Sequence, residues 1–341
     1  MHYRLRHRRH RLLLRAPLRT AHGWWSEREV VWVQLEHPDG VRRYGEASPI
    51  PWFGTETADE IEAVLRDLGM EVDDARLDAV PVRLGCLRAA LAAARAEVPA
   101  PANLAAWPVA ALLPAGRPAL TVIEPLAEAG FRIFKWKVGV ADVADELGLL
   151  DDLCARLPSG GRLRLDANGS WDRRAAERWL ERCAERPVEF VEQPCFAAAK
   201  QGKAAGRKAE DVLLGLAADY PTSLALDESL VSDGDVQRWL QMGWPGVFVL
   251  KLALLGDAPA ALKALQAAGA KVVFSSALET AVGAKAALRR AFAWPGTRQA
   301  LGFGVWPLFS DARFDGPAAA PFLRWADVAA IDEEAAWNAP S

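Results

Sequence analysis

Five short apolar runs each end on an ionisable side chain: Lys135-Trp136-Lys137, Asp166, Glu192, Asp227 and Lys251. Any one of these has a bland reading. A lone strand-end aspartate is usually a helix cap or a solvated group, a lone lysine snorkels to water, and Glu192 could simply open the turn Glu192-Gln193-Pro194. The joint pattern says more. Three converging carboxylates, Asp166, Glu192 and Asp227, repel one another strongly unless a cation sits among them. Oxygen-only ligands without imidazole or thiolate select a hard cation, with Mg²⁺ the common choice and Mn²⁺ the alternative. Its open coordination positions would accept a carboxylate, so the expected partner is a small-molecule carboxylate substrate.

Lysines flanking such a metal point to proton abstraction beside the bound carboxylate, with the positive charges stabilising the enediolate formed. Two lysines two residues apart near a divalent cation are expected to have depressed pKa values, leaving a neutral amine near pH 7. Lys137 stands nearer the end of its run than Lys135 and is the expected base. Histidine is not available for that role, because all five histidines fall within the first 37 residues. That removes most metallohydrolase and catalytic-triad chemistries.

These residues need a scaffold that brings strand ends together. From Val109 onward, short strand-like runs alternate with helical stretches: Val109–Leu113, Phe131–Val138, Arg162–Asp166, Val188–Glu192, Ser223–Asp227, Val247–Lys251, Lys271–Ser275 and Gln299–Phe303. Amphipathic segments such as Asp172–Glu185, Asp233–Met242 and Ala258–Ala268 lie between them, with Gly130, Gly243 and Gly269 as helix stops. Eight strands separated by helices predict a parallel (β/α) barrel, whose active site lies at the C-terminal strand ends. No G-x-G-x-x-G follows a strand, so a dinucleotide-binding sheet lacks its phosphate loop. Side chains alternate along a strand. Parity therefore puts Phe131, Ile133, Lys135 and Lys137, Arg164 and Asp166, Val188, Phe190 and Glu192, Ala225 and Asp227, and Val247, Val249 and Lys251 on the inner face.

The first 100 residues read as a small α+β unit. Alternating strands with a turn at Pro38-Asp39-Gly40 precede helical segments at Thr57–Gly69 and Pro81–Glu97. The expected division is a capping unit over residues 1–105, a barrel over 106–305, and a segment over 306–341 that returns to the cap. The arginine- and histidine-rich start, Met1 to Arg19, has only Leu12-Leu13-Leu14 as an apolar run, too short for a signal peptide. An Arg-rich, acid-poor stretch also fits a transit peptide, but the alternation resuming into Val30-Val31-Trp32-Val33 favours a basic first strand. The stretch Ala197–Arg207 reads as a mobile surface loop or a helix start. A net charge of −3 argues against nucleic acid, and no stretch reaches membrane-span length. Four cysteines without a C-x-x-C pair fit a reducing cytoplasm. A monomer is compatible with the sequence, which does not fix the oligomeric state.

The set Lys135-x-Lys137, Leu165-Asp166-Ala167-Asn168-Gly169, Val191-Glu192-Gln193-Pro194, Leu226-Asp227-Glu228-Ser229 and Lys251 resembles the enolase superfamily in its muconate-lactonising-enzyme subgroup. Lys or His bases beside Mg²⁺ are a known pattern of such sites. The resemblance implies a modified TIM barrel of (β/α)7β type with an α+β capping domain. Within it, Gly45-Glu46-Ala47-Ser48-Pro49-Ile50-Pro51-Trp52-Phe53-Gly54-Thr55-Glu56-Thr57, Arg162–Asn168 and Ser275-Ser276-Ala277-Leu278-Glu279 are similar to the o-succinylbenzoate synthase family.

That likeness implies Mg²⁺-dependent dehydration of 2-succinyl-6-hydroxy-2,4-cyclohexadiene-1-carboxylate to 2-succinylbenzoate, a step of menaquinone or phylloquinone synthesis. It assigns Asp166, Glu192 and Asp227 to the metal, Lys137 to acid–base work and Lys251 to a fixed cation on the opposite face. Lys135 and Arg164 would tune the field, and Arg164, Ser275 and Ser276 would contact substrate. The loop Ala16–Trp25 would close the site.

The rivals are an N-acylamino acid racemase or dipeptide epimerase of the same superfamily and, in another class, a non-catalytic metal-binding barrel. Dipeptide epimerases resemble one another in an Asp-x-Asp pair at the eighth strand. Here that position reads Gly302-Phe303-Gly304-Val305-Trp306, with no aspartate before Asp311. A silent barrel would have lost some charged strand ends, and none is lost.

Overall fold

The computed structural model describes residues 1–20, 23–96, 98–101, 103–196 and 202–339. The chain opens with β1 (His2–Thr20), β2 (Gly23–Glu36) and β3 (Arg42–Ala47), then α1 (Ala58–Leu68), β4 (Glu71–Asp73), α2 (Asp74–Asp78) and α3 (Gly85–Arg95). The four strands form an antiparallel sheet in the order β3-β2-β1-β4. The basic start is thus a strand, as the alternation predicts. Thr57 and Glu60 close a reciprocal capping box at the head of α1, satisfying two otherwise orphaned N–H groups. α3 packs so closely on β3 that a Cβ at Gly45 would stand 2.0 Å from the Ala90 carbonyl oxygen, so only glycine fits there.

The short β5 (Trp107–Pro108) leads into β6 (Ala111–Leu113), α4 (Ala119–Glu128), β7 (Ile133–Lys137), α5 (Val143–Arg156), β8 (Arg162–Asp166), α6 (Arg173–Cys183), β9 (Val188–Glu192) and α7 (Lys203–Asp219). There follow β10 (Leu224–Leu226), α8 (Asp233–Gln241), β11 (Val247–Leu250), α9 (Ala258–Ala267), β12 (Lys271–Phe274) and α10 (Ala281–Phe292). β6 to β12 form one parallel ladder in sequence order. The predicted eighth strand is reduced to two parallel bridges, Ser275 to Gly302 and Val109 to Leu301. Backbone bonds from Gly302 N to Phe274 O and from Ala110 N to Leu301 O join the two edges of the ladder through this segment.

Outward side chains of the barrel strands, among them Phe134, Trp136, Leu165, Val191 and Phe248, pack with the helices in one large core. The inner set is Phe190, Ala225, Val247, Val249 and Val273. Parity fails at Phe131, which precedes β7 and lies in the large core with Phe134, and at Val188. Val188, expected inside, lies in the outer core, because the β8–β9 register slips between Leu163 and Arg164. This bulge opposes Arg164 to Phe190 and turns Glu189 to meet Arg164.

The last segment carries β13 (Phe322–Leu323), α11 (Trp325–Ala329) and α12 (Glu333–Asn338). β13 pairs with β5, Leu14 bridges Phe309, and Trp337 packs on Trp32, Tyr44 and the Arg8 guanidinium. Within the expected closing loop Ala16–Trp25, Leu18, Arg19 and Thr20 pair with Trp25, Trp24 and Gly23, while residues 21–22 lie outside the described residues. Of the Ala197–Arg207 stretch, residues 197–201 lie outside them too, and α7 begins at Lys203. Among the described residues no helix is long and apolar enough to cross a membrane, and no cysteine is paired.

Candidate active site

β7 to β9 set the first charges in register. Lys137 pairs with Asp166 and Asp166 with Glu192, so three strand ends present a lysine and two carboxylates in one row. Asp227 directly follows β10 and Lys251 directly follows β11, which extends the row around the same end of the barrel. The burial of Phe134 and Trp136 against the helices leaves Lys135 and Lys137 on the inner side of β7.

The Lys135 ammonium bridges Asp166, at 2.8 Å, and Glu192, at 2.7 Å. The Lys251 ammonium donates to Asp227 and stands 4.7 Å from the Phe53 ring, contributed by the cap. Lys137 is half-buried beside this network. Burial pulls the Lys135 pKa down, but the Asp166, Glu192 and Asp227 carboxylates more than reverse it and hold the ammonium charged. The lowering expected of two lysines beside a divalent cation is opposed at Lys135 by these anionic neighbours.

The carboxylates also have supports that sequence reasoning missed, although their residues sit inside the quoted motifs. Asn168 donates its backbone N–H to Asp166 and its amide to Glu228. Gln193 is fully buried and spans two strand ends. Its amide oxygen accepts from the N–H groups of Asp227 and Ser229, and its NH₂ donates to the Ser229 hydroxyl and the Cys195 carbonyl. The non-glycine residues at positive φ among the described residues are Asn168, Gln193 and Leu278, each just beyond a barrel strand. Strain of that kind persists only where surrounding contacts over-determine it, as at functional sites.

Two expected substrate contacts are engaged within the protein. The Ser276 hydroxyl donates to Glu279 and accepts from the Leu278 N–H, and its side chain is buried. Arg164 is buried below the charged row, paired with Glu189 at 2.7 Å, donating to the Ala300 carbonyl and lying over the Phe190 ring. Ser275 is half-buried with its hydroxyl 3.4 Å from the Gly302 carbonyl.

The donor set fits a divalent cation. Four carboxylates, Asp166, Glu192, Asp227 and Glu228, crowd around two ammonium groups, Lys135 and Lys251. Burial, with Asp166 and Asp227 adding repulsion, pushes Glu192 up to about 8. Burial with the charges of Asp227 and Asp166 does the same to Glu228. One Glu228 oxygen is buried without a partner. Among the described residues no three acids already stand as a preformed metal cluster, because each carboxylate of the triad is drawn to a lysine. The excess of buried negative charge is what a hard cation with oxygen ligands would neutralise.

The profile of the family described as Enolase C-terminal domain-like matches residues 120–320. An o-succinylbenzoate synthase from Thermosynechococcus vestitus is 40% identical over 299 residues, 86% of this chain and 89% of that protein. The chain belongs to the o-succinylbenzoate synthase family of the enolase superfamily. The structure of o-succinylbenzoate synthase from Thermosynechococcus elongatus BP-1, complexed with Mg in the active site, superposes with a TM-score of 0.80 at 36% identity, covering 93% of this chain and 96% of that one. The L-Ala-D/L-Glu epimerase of Bacillus subtilis shares the fold, with a TM-score of 0.79 at 20% identity over 94% of this chain and 95% of that one.

Proposed function

We propose that this protein is an o-succinylbenzoate synthase: a Mg²⁺-dependent lyase that removes water from 2-succinyl-6-hydroxy-2,4-cyclohexadiene-1-carboxylate to give 2-succinylbenzoate. One observation carries the reading. In a chain 40% identical to such a synthase, lysines from β7 and from the end of β11 flank Asp166, Glu192 and Asp227 at a single barrel mouth.

Asp166, Glu192 and Asp227 would hold Mg²⁺, which supplies positive charge to a substrate carboxylate and to the enediolate that develops there. Lys137 takes the ring proton next to that carboxylate. The ring C–O bond breaks on the same face, and the Lys137 ammonium returns its proton to the leaving hydroxyl, which departs as water. The electron pair of the broken C–H bond becomes the new ring double bond, and the ring becomes aromatic. Lys251 stays protonated on the other face, where its charge stabilises the developing anion and faces the aromatic ring as it forms. Lys135, held charged by its carboxylates, keeps Asp166 and Glu192 oriented.

An aminoacyl-ammonium substrate lacks a matching acid at the eighth strand position. A Cβ at Gly302 would come within 2.6 Å of the Ser275 hydroxyl, and one at Gly304 within 2.5 Å of the Ala110 carbonyl oxygen. The test is to incubate purified protein and Mg²⁺ with the cyclohexadiene acid. Succinylbenzoate should form and EDTA should stop it, whereas inactivity alongside rapid dipeptide epimerisation would overturn the reading. A place in quinone synthesis and a reducing cytoplasm follow on the same reading. So does the division into residues 1–105, 106–305 and 306–341, supported by the antiparallel sheet, the parallel ladder and the returning β13.

A further inference from the structure

Arg28, on β2 of the cap, is 1% exposed, yet among the described residues its guanidinium hydrogen-bonds no carboxylate. Its donors go to five backbone carbonyls: Glu29 beside it, Ser48 and Pro49 in the cap turn, and Ala277 and Leu278 in the loop between β12 and α10. Burying a cation is costly unless its donors are satisfied, and a guanidinium fork is the one side chain that can serve five acceptors at once. Three segments far apart in sequence are therefore pinned to one group.

Each pinned segment bears on the barrel mouth. Ser48-Pro49 runs directly into the short 3-10 helix Pro51–Phe53, closed by the Phe53 N–H on the Ile50 carbonyl. Phe53 then presents its ring 4.7 Å from the Lys251 ammonium. On the other side, Leu278 holds the left-handed backbone conformation (φ 58°), and its carbonyl is one of the five acceptors. Trp25, whose ring faces the guanidinium at 5.3 Å, packs edge-on to Trp52.

We propose that Arg28 is a positioning residue for the reaction: by tying the Ser48-Pro49 turn to the Ala277-Leu278 loop, it fixes the Phe53 ring over Lys251 and so sets where that ammonium points. The catalytic part of this inference rests on the dehydratase reading above. Arg28 touches no reacting atom. A lysine in its place keeps the charge but offers three donors on a point, which cannot span the five carbonyls.

The test is a double-mutant cycle with Arg28→Lys and Phe53→Leu, read as kcat and KM for the cyclohexadiene acid. Each single variant should lower kcat about tenfold, the scale of a partly desolvated cation–π contact, with KM changed little. The double variant should lose no more than the worse single one. Losses that multiply, or an Arg28→Lys enzyme with unchanged kcat, overturn the proposal. Amide hydrogen exchange of the same variant gives a readout that needs no activity. Exchange should rise together in residues 50–55 and 276–280 and stay unchanged elsewhere in the cap. If the wild-type chain has no dehydratase activity the functional reading fails by itself, and exchange alone then decides the tether: unchanged protection of those two segments refutes it.

Discussion

Glu46 offers the sharpest test of how the cap is joined to the barrel. Its buried carboxylate accepts from five donors: the Ser48 hydroxyl at 2.6 Å, the Thr280 N–H at 3.0 Å, the Trp32 indole at 3.1 Å, the Gly283 N–H at 3.0 Å, and the Thr280 hydroxyl. Thr280 is the N-cap of α10, so the anion also sits where the helix dipole is positive. Glycine at 283 is part of the fit, since a Cβ there would lie 3.0 Å from the Glu46 carboxyl carbon. Glu46→Ala leaves these donors buried, with the Trp32 indole keeping a second acceptor in the Thr280 hydroxyl. Unsatisfied donors cost about 1–3 kcal/mol each, but relaxation and entering water keep the total near the about 3–5 kcal/mol typical of breaking a buried charged network. Glu46→Gln keeps one acceptor oxygen and should cost about 1–3 kcal/mol. Urea unfolding followed by tryptophan fluorescence and by circular dichroism gives these values if the two transitions coincide. A loss below about 1 kcal/mol for Glu46→Ala would refute the claim that this carboxylate organises the joint.

Other outcomes follow from the same contacts. Gly45→Ala should destabilise the fold by at least about 2 kcal/mol, read by denaturant midpoint, because its Cβ meets the α3 backbone and not a flexible side chain. Burial between Trp32 and Phe314 lowers the His10 pKa below its ordinary 6.5, with one ring nitrogen unpartnered. The unfolded chain therefore binds this proton first, so stability is full above pH 6.5 and falls as pH drops toward the folded pKa. His10→Phe should flatten that part of the stability–pH curve, and an unchanged slope would contradict it. Mg²⁺ should stabilise the fold by about 2.7 kcal/mol at a hundredfold excess over its dissociation constant, seen as a concentration-dependent rise in unfolding temperature that EDTA reverses.

Much of the barrel was legible because its signal is local. Arg162–Asp166 and Val188–Glu192 alternate apolar residues and end on an acid, and both are strands with the bounds expected. The helices near Asp172 and Asp233 announce themselves by side-chain caps on Asp172 and Ser232. Parity failed at Val188 because period-two reading assumes an unbroken ladder, and a bulge leaves no local mark. The eighth strand read longer than its two bridges. What stayed hidden is made by distant pairs: Phe53 with Lys251, Glu46 with Thr280, Arg28 with Leu278. The motif around Glu46 was visible, but its partner on α10 lies more than two hundred positions away, where no spacing rule reaches. Ser276 drew attention through the likeness of its loop to the family's, and its bond to Glu279 within that turn was not legible in the spacing.

The central claim is that Lys137 moves the proton while Lys251 remains a fixed cation. Its most direct test is the dehydration rate of a folded Lys137→Ala variant with Mg²⁺ present, beside the wild type. The account predicts a loss of at least about 10²- to 10⁴-fold, the range that a positioned acid–base group contributes. Full activity in that variant would contradict it.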